Sequence, residues 1–262
     1  MKIVNFVPTG ATTTRENSLA PLTANEIIDE VHMMYDYKLI TLVHIHARDM
    51  HLKNTHKAAY FQPIIEGIRK HCPDLAICAS LSGRYTFKIE ERMEVLDLEP
   101  DMGSLTLGSW NYATGVNINT PNAILSLANR MFELGIVPEL ECFDTGMINY
   151  AKYLISKGVL KGPTYMNVIF GNLSNVQVHE AEHVVTTLPE NAKVCFGGIG
   201  ASQYEATRKG MQLVDGCRVG LEDNLYIGES KVKATNYLLV KEAIGNNEVL
   251  SPKEFKKWLK SL

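Results

Sequence analysis

The sequence is poor in the features that most quickly narrow a protein's class. Its 262 residues include five cysteines, Cys72, Cys78, Cys142, Cys195 and Cys217, odd in number and without CxxC spacing. That pattern argues against a disulfide framework or a thiolate zinc site and for a reducing compartment. No apolar run approaches the roughly 20 residues that span a bilayer. The N-terminus passes from Met1-Lys2-Ile3-Val4-Asn5-Phe6 into polar residues 9–17 without the apolar core of a signal peptide. A cytoplasmic protein is expected. Charge of one sign is also missing: 26 basic against 29 acidic residues leave a net charge of −3, which gives no electrostatic case for nucleic acid. Linkers, low-complexity tracts and internal repeats are absent. With 45% hydrophobic and 21% charged residues, disordered, collagen-like and coiled-coil chains are excluded.

What the chain does contain is alternation. Eight short apolar segments, 3–8, 40–48, 75–82, 102–109, 137–144, 165–171, 193–200 and 216–223, read as strands. Amphipathic stretches such as 24–37, 121–134 and 147–157 separate them. Thr23 before Ala24-Asn25-Glu26 predicts a capping box, and Gly135 and Gly158 suit helix C-termini. Strands alternating with helices imply a parallel sheet, and eight units imply closure into a TIM (β/α)8 barrel, for which about 250 residues suffice. One catalytic domain, 1–262, with an extra C-terminal helix over 251–262 available for assembly, is the expected organisation.

The residues inside the strands say more than their number. Successive strand residues face opposite sides. Over 40–48, Thr41, Val43, Ile45 and Ala47 share one face, and His44, His46 and Arg48 the other. Over 216–223, Val219 and Leu221 oppose Arg218 and Glu222. Glu139 and Glu141, Ser80, and Ser104 and Thr106 likewise fall opposite apolar neighbours. In a barrel the apolar set packs under the helices. The polar set therefore points inward, and late in the strands it reaches the C-terminal mouth, where barrel enzymes hold their sites.

His44-Ile45-His46 places two imidazoles on one strand face, roughly 7 Å apart by strand rise. Strands two and eight both neighbour strand one, so Glu222 is placed to complete a two-histidine, one-carboxylate set. Zinc, manganese or iron(II) would fit such a set, and its alternative is a hydrogen-bonded interior histidine pair. Arg218 and Asp223 bracket the third ligand: Arg218 suits a substrate carboxylate or the orientation of Asp223, and Asp223 suits a base, the alternative being a structural ion pair. Ser80, Ser104, Thr106, Glu139 and Glu141 are weaker candidates for orienting substrate. Gly197-Gly198-Ile199-Gly200 after the seventh strand would let backbone amides approach a phosphate, though a tight turn explains it equally. His179-Glu180-Ala181-Glu182-His183 matches HExxH, but it lies on a predicted outer helix ended by Pro189 and reads as a solvated face.

Taken together, Thr9-Gly10-Ala11, Leu22-Thr23-Ala24-Asn25-Glu26, His44-Ile45-His46-Ala47-Arg48-Asp49, Glu91-Arg92, Pro138-Glu139-Leu140-Glu141, Gly197-Gly198-Ile199-Gly200 and Arg218-Val219-Gly220-Leu221-Glu222-Asp223-Asn224 resemble the beta-keto acid cleavage enzyme family. The resemblance implies a TIM barrel holding one Zn²⁺ through His44, His46 and Glu222. It implies an acyltransferase in which a β-keto acid and acetyl-CoA yield acetoacetate and a new acyl-CoA. Asp223 would take the C2 proton, with Arg218 assisting. Ser80, Ser104, Thr106, Glu141 and Thr12 would line the substrate site; Gly197, Gly198, Gly200 and Arg84 would serve CoA. A homo-oligomer, taken as a tetramer, is expected. The mouth departs from the family pattern. Leu81-Ser82-Gly83-Arg84 replaces Thr-Gly-Gly after Ser80, Gly171-Asn172-Leu173-Ser174-Asn175 is short, and Thr12 stands where a family member acting on an amino-substituted substrate has glutamate. A metal-dependent hydrolase or aldolase working without CoA, and a non-catalytic metabolite-binding paralogue, are the competing readings.

Overall fold

The computed structural model describes residues 1–86, 88–112, 115–171, 173, 176–228 and 231–261. Eight parallel strands close into a barrel in sequence order: β1 (Ile3–Phe6), β2 (Leu42–Ile45), β3 (Ala76–Ala79), β4 (Met102–Thr106), β5 (Val137–Cys142), β6 (Tyr165–Phe170), β7 (Lys193–Gly198) and β8 (Gly216–Val219), with β1 pairing both β2 and β8. Each is one of the expected strands, shortened at its C-terminal end. The residues lost from the ladder belong to the βα loops, whose backbone turns away to build the mouth.

The helices are α1 (Ala24–Asp36), α2 (Ala58–His71), α3 (Ile89–Met93), α4 (Pro121–Glu133), α5 (Thr145–Ser156), α6 (Ala181–Thr187), α7 (Ser202–Leu213), α8 (Asn236–Ile244) and α9 (Pro252–Leu259). The expected capping box is present: the Thr23 hydroxyl accepts from the Glu26 amide, and the Glu26 carboxylate accepts from the Thr23 amide at 2.9 Å. Gly135 and Gly158 follow α4 and α5 at φ 68°, the left-handed geometry glycine tolerates best. Among the described residues, no helix is long and apolar enough to cross a membrane.

Two apolar layers hold the barrel. The larger lies between strands and helices and includes Val43, Ile45, Ala47, Leu140 and Val219, the face expected from the alternation. The smaller fills the lower interior with Ile3, Leu42, Ala76, Cys78, Met102, Tyr165 and Cys195. Helix α9 plugs that end. Phe255 and Leu259 are buried against the interior layer and half-buried Trp258 packs beside them. The C-terminal helix thus has a place within the monomer, capped at Ser251 and shorter than 251–262. Apolar side chains fill the bottom of the interior, so the polar inward residues are confined to the upper half. That division places the site.

Candidate metal centre and its cavity

His44, on β2, and His46, just beyond it, are both buried. Their rings tilt together until the two Nε2 atoms are 3.4 Å apart. Glu222 Oε1 stands 3.2 Å from His46 Nε2, and its Oε2 3.8 Å from His44 Nε2. The candidate ligand atoms of the three residues lie within 4.8 Å of one another. Glu222 Oε2 is buried and has no hydrogen-bond partner among the described residues. An orphaned carboxylate oxygen facing two imidazole nitrogens is what a divalent cation would satisfy, so these residues fit a metal.

Each of the three is held from behind. His44 Nδ1 donates to Glu139 Oε2 at 2.6 Å. That carboxylate also accepts from Asn5 Nδ2 at 2.7 Å, Asn167 Nδ2 at 2.8 Å and the Cys78 thiol at 3.1 Å. A carboxylate surrounded by donors fixes the Nδ1–H tautomer and turns the Nε2 lone pair toward the site. Burial works against the charge of Glu139, but His44 and Arg218 hold its pKa down to about 2. His46 Nδ1 meets Tyr85 Oη at 2.6 Å. Arg218 Nη2 donates to Glu222 Oε1 at 2.6 Å. Burial alone would depress His44, yet Glu222 and Glu139 raise it to about 9; the same negative field favours a metal cation. His46, with less help, is pushed down by burial.

The alternation put Glu222 on the end of the eighth strand, and here the structure differs. Strand β8 ends at Val219, and Gly220 takes φ +153°, where a Cβ would lie 2.2 Å from the Val7 carbonyl oxygen. The chain then turns. Leu221 N–H donates to Asn236 Oδ1 at 2.7 Å, and Asn236 Nδ2 to the Pro8 carbonyl at 2.9 Å. Glu222 therefore arrives from a turn tied to α8 and the loop after β1. Gly10 in that loop leaves room for it: a Cβ there would sit 2.4 Å from Glu222 Cγ.

Arg218 is the hub of the corner. Fully buried, it reaches Asp223 at 2.8 Å through Nε, Glu141 at 3.1 Å through Nη1 and Glu222 through Nη2. Burial pushes the carboxyls of Asp223 and Glu141 up, and Arg218 opposes this in both. Thr106 donates to Glu141 at 2.8 Å.

These residues open onto a cavity of about 290 Å³ whose walls include Thr12, His46, Ser80, Arg84, Glu141, Arg218, Glu222 and Asp223. Most of the sequence-predicted site is thus brought together. Ser104 and Thr106 do not line the cavity: Ser104 accepts from the Leu81 amide at 2.9 Å, and Thr106 is spent on Glu141. Glu139 lies beneath His44 rather than facing the cavity. Gly197 and Gly198 serve packing, since a Cβ would come within 3.1 Å of Arg218 Cβ and 2.6 Å of the Ser202 backbone respectively. The Ile199 and Gly200 amides are committed to Phe170 and Asp223 carbonyls. Of the short loop after β6, Asn172, Ser174 and Asn175 lie outside the described residues. His179 and His183 are exposed and split between a 3₁₀ turn and α6, as a solvated face should be. Another cavity, about 170 Å³ against β5, offers no carboxylate, imidazole or thiol.

Sequence reasoning missed Tyr85, Asn5, Asn167 and Trp110. The asparagines carried a signal, each a lone amide in an otherwise apolar strand, Ile3-Val4-Asn5-Phe6 and Met166-Asn167-Val168. Tyr85, on a loop, and Trp110, on a short ribbon beyond β4, had none.

The fold and the site define a (β/α)8 barrel protein with a cation-competent cluster at its C-terminal mouth. Sequence comparison makes the class specific: the chain belongs to the beta-keto acid cleavage enzyme family, which it matches over residues 2–260. It is 29% identical over 244 residues to the 3-keto-5-aminohexanoate cleavage enzyme of Fusobacterium nucleatum, covering 92% of this chain and 89% of that one. It is 32% identical over 234 residues to the 3-oxoadipate:acetyl-CoA acetyltransferase of Cupriavidus necator, covering 87% and 81%. The apo structure of ObcA superposes with a TM-score of 0.75 at 17% identity, over 92% of this chain. This chain spans 65% of ObcA, and the likeness speaks for the barrel.

Proposed function

We propose that the protein is a zinc-dependent acyltransferase that converts a β-keto acid and acetyl-CoA into acetoacetate and a new acyl-CoA. The observation that carries this reading is the convergence of His44, His46 and Glu222 beside the Arg218–Asp223 pair, with His46, Glu222, Arg218 and Asp223 all on the wall of one cavity. The activity follows the family and the named relatives; the residues supply the parts. His44, His46 and Glu222 would hold the metal, which when bound supplies Lewis-acid polarisation of the keto acid's oxygens. Asp223, held through both oxygens by Arg218, is positioned to take the C2 proton. The C2 carbon forms a bond to the acetyl carbonyl of the thioester and CoA departs as thiolate. The thiolate then bonds to the former keto carbon, the C2–C3 bond breaks with its electron pair left on C2, and that carbon takes back the proton from Asp223, releasing acetoacetate and the new acyl-CoA. Ser80, Glu141 and Thr12 lie on the same cavity wall and orient the acid. CoA approaches over the turn Gly197–Gly200, where a side chain at Gly200 would meet open space. Residues 1–262 act as one catalytic domain. A cytoplasmic homo-oligomer, taken as a tetramer, completes the reading; the five buried, unpaired cysteines agree with a reducing compartment.

The test is a panel of β-keto acids with acetyl-CoA, followed by acetoacetate and new thioester. Asp223→Asn should lose turnover by 10²-fold or more, on the order expected for a base, while keeping its zinc. His46→Ala should lose zinc, and full occupancy there would overturn the ligand assignment. Turnover without a thioester would make the enzyme a hydrolase or aldolase. Keto-acid binding without any turnover would make it a metabolite-binding paralogue.

A further inference from the structure

We propose that Arg84 and Trp110 form a subsite for a second carboxylate, making the preferred substrate a 3-oxo dicarboxylic acid. This rests on the keto-acid reading above and extends it to the far end of the substrate. The cavity carries charges of both signs on its walls. Its acidic side chains, Glu141, Glu222 and Asp223, are all paired with Arg218. Arg84 is the other guanidinium on the walls, and it has no carboxylate partner among the described residues. It is held by rings instead: its Cζ lies 4.4 Å from the centroid of Tyr112 and 5.3 Å from that of Trp110. Contact with aromatic rings uses none of a guanidinium's N–H groups as hydrogen-bond donors to an anion, and these are the groups that bind a carboxylate bidentately.

The wall is built to keep Arg84 there. Trp110–Tyr112 pairs with Gly115–Asn117 in a short ribbon, and Trp110 stacks on Phe143 at 4.4 Å. Arg92, buried, clamps the Arg84 loop to the chain beyond the ribbon, donating to the Leu81 carbonyl at 2.7 Å and to Asn119 Oδ1 at 2.7 Å. Gly83 fits flush, since a Cβ would lie 2.3 Å from the Ile118 carbonyl oxygen. A second observation points to a ligand: Trp110 is 6% exposed, lines the cavity, and its indole N–H has no acceptor among the described residues. A buried donor without an acceptor is costly. A carboxylate at the Arg84 edge supplies one. The same guanidinium fills the aromatic wall that an ammonium tail would otherwise use, so a cationic substrate is repelled. A CoA phosphate is the other anionic source, but a nearly buried indole N–H suits a small planar group better than a bulky diphosphate.

The experiment compares 3-oxoadipate with 3-oxohexanoate, acids of equal length that differ in the terminal carboxylate. With acetyl-CoA, the wild type should favour the dicarboxylate in kcat/KM by about 10- to 100-fold, the worth of hydrogen bonds to a charged group. Arg84→Met should bring that ratio near one without raising the KM for acetyl-CoA. Arg84→Lys and Trp110→Phe, which keep a charge and a ring respectively, should fall between. Turnover of neither acid would count against the acyltransferase reading; the subsite is then read by binding alone. For this, zinc-loaded Trp258→Phe protein, with Trp110 its one remaining tryptophan, is titrated with each acid by fluorescence. Tighter binding of 3-oxoadipate that disappears with Arg84→Met supports the subsite. Equal affinities, an unchanged kcat/KM ratio in Arg84→Met, or a rise in acetyl-CoA KM alone would overturn it.

Discussion

Glu139 touches no part of the cavity, yet its replacement by glutamine should cripple the metal centre. The carboxylate accepts four hydrogen bonds, from His44 and Cys78 at one oxygen and from Asn5 and Asn167 at the other. An amide of the same shape keeps one acceptor oxygen and presents two N–H groups at the other position. If the oxygen faces the asparagines, the amide nitrogen confronts His44 Nδ1. His44 must then protonate at Nε2, the atom needed for the metal. If the oxygen faces His44, two asparagine amides confront another donor. Losing such a partner behind a histidine ligand typically costs 10- to 100-fold in metal affinity, about 1.4–2.8 kcal/mol. A donor left unpaired adds about 1–3 kcal/mol to the loss of fold stability. Competition against a chromogenic chelator measures the first, and denaturant unfolding of the metal-free protein the second. Zinc affinity within about twofold of wild type would refute the claim that Glu139 sets the His44 tautomer.

Three further outcomes follow from the same geometry. Gly10→Ala puts a methyl 2.4 Å from Glu222 Cγ, so it should reduce metal content while circular dichroism keeps the barrel spectrum; undiminished zinc would show that the loop yields. Tyr85→Phe removes the hydroxyl at His46 Nδ1 and should weaken zinc about tenfold by chelator competition, with no change predicted if the phenol is mere packing. His56 is buried, and burial, with the nearby charges of His46 and Arg92, lowers its pKa to about 4 against 6.5 for the free side chain. The folded state then binds fewer protons than the unfolded one between those values, so its stability is lost as pH falls from 6.5 toward 4. The shift caps the loss at about 3 kcal/mol. The fall in unfolding free energy from pH 6.5 to 4 should be smaller in His56→Gln by up to about that amount, and equal falls would remove His56 as the cause.

How far the site could be read from the sequence depends on what positions each residue. His44, His46 and Arg218 were legible because strand alternation decides which way a side chain points, and the barrel makes the inward direction unique. Glu222 was found for a partly wrong reason: it fell on the right face by count, but a turn broken at Gly220 and pinned by Asn236 delivers it. That turn depends on contacts with Pro8 and Val7, more than 200 residues away, which no local pattern encodes. Ser104 and Thr106 show the converse. They alternate inward as expected, but neighbouring chain segments claim their hydroxyls. The C-terminal helix was legible as a helix, and its role as the barrel's plug was not, because amphipathicity does not name the surface it packs against.

The charge inventory of the corner explains why these contacts are worth keeping. Glu139, Glu141, Glu222 and Asp223 crowd one buried guanidinium, that of Arg218. Four carboxylates against one guanidinium and the His44 imidazolium still leave an excess of negative charge that burial should make expensive, since charge in a low-dielectric interior is poorly screened. A barrel selected only for stability would relieve it by replacing a carboxylate with an apolar side chain of similar size, which costs little where both partners of a pair can go. Here each carboxylate has its own hydrogen-bonded seat: Glu139 among four donors, Glu141 under Thr106, Asp223 along the Arg218 edge, Glu222 in the space left by Gly10. The seats fix the excess instead of dispersing it. A divalent cation between His44, His46 and Glu222 removes most of the imbalance. Burial, helped by the charge of Glu222 and opposed by Arg218, raises the proton affinity of Asp223, which is the property a base beside an acidic C–H requires.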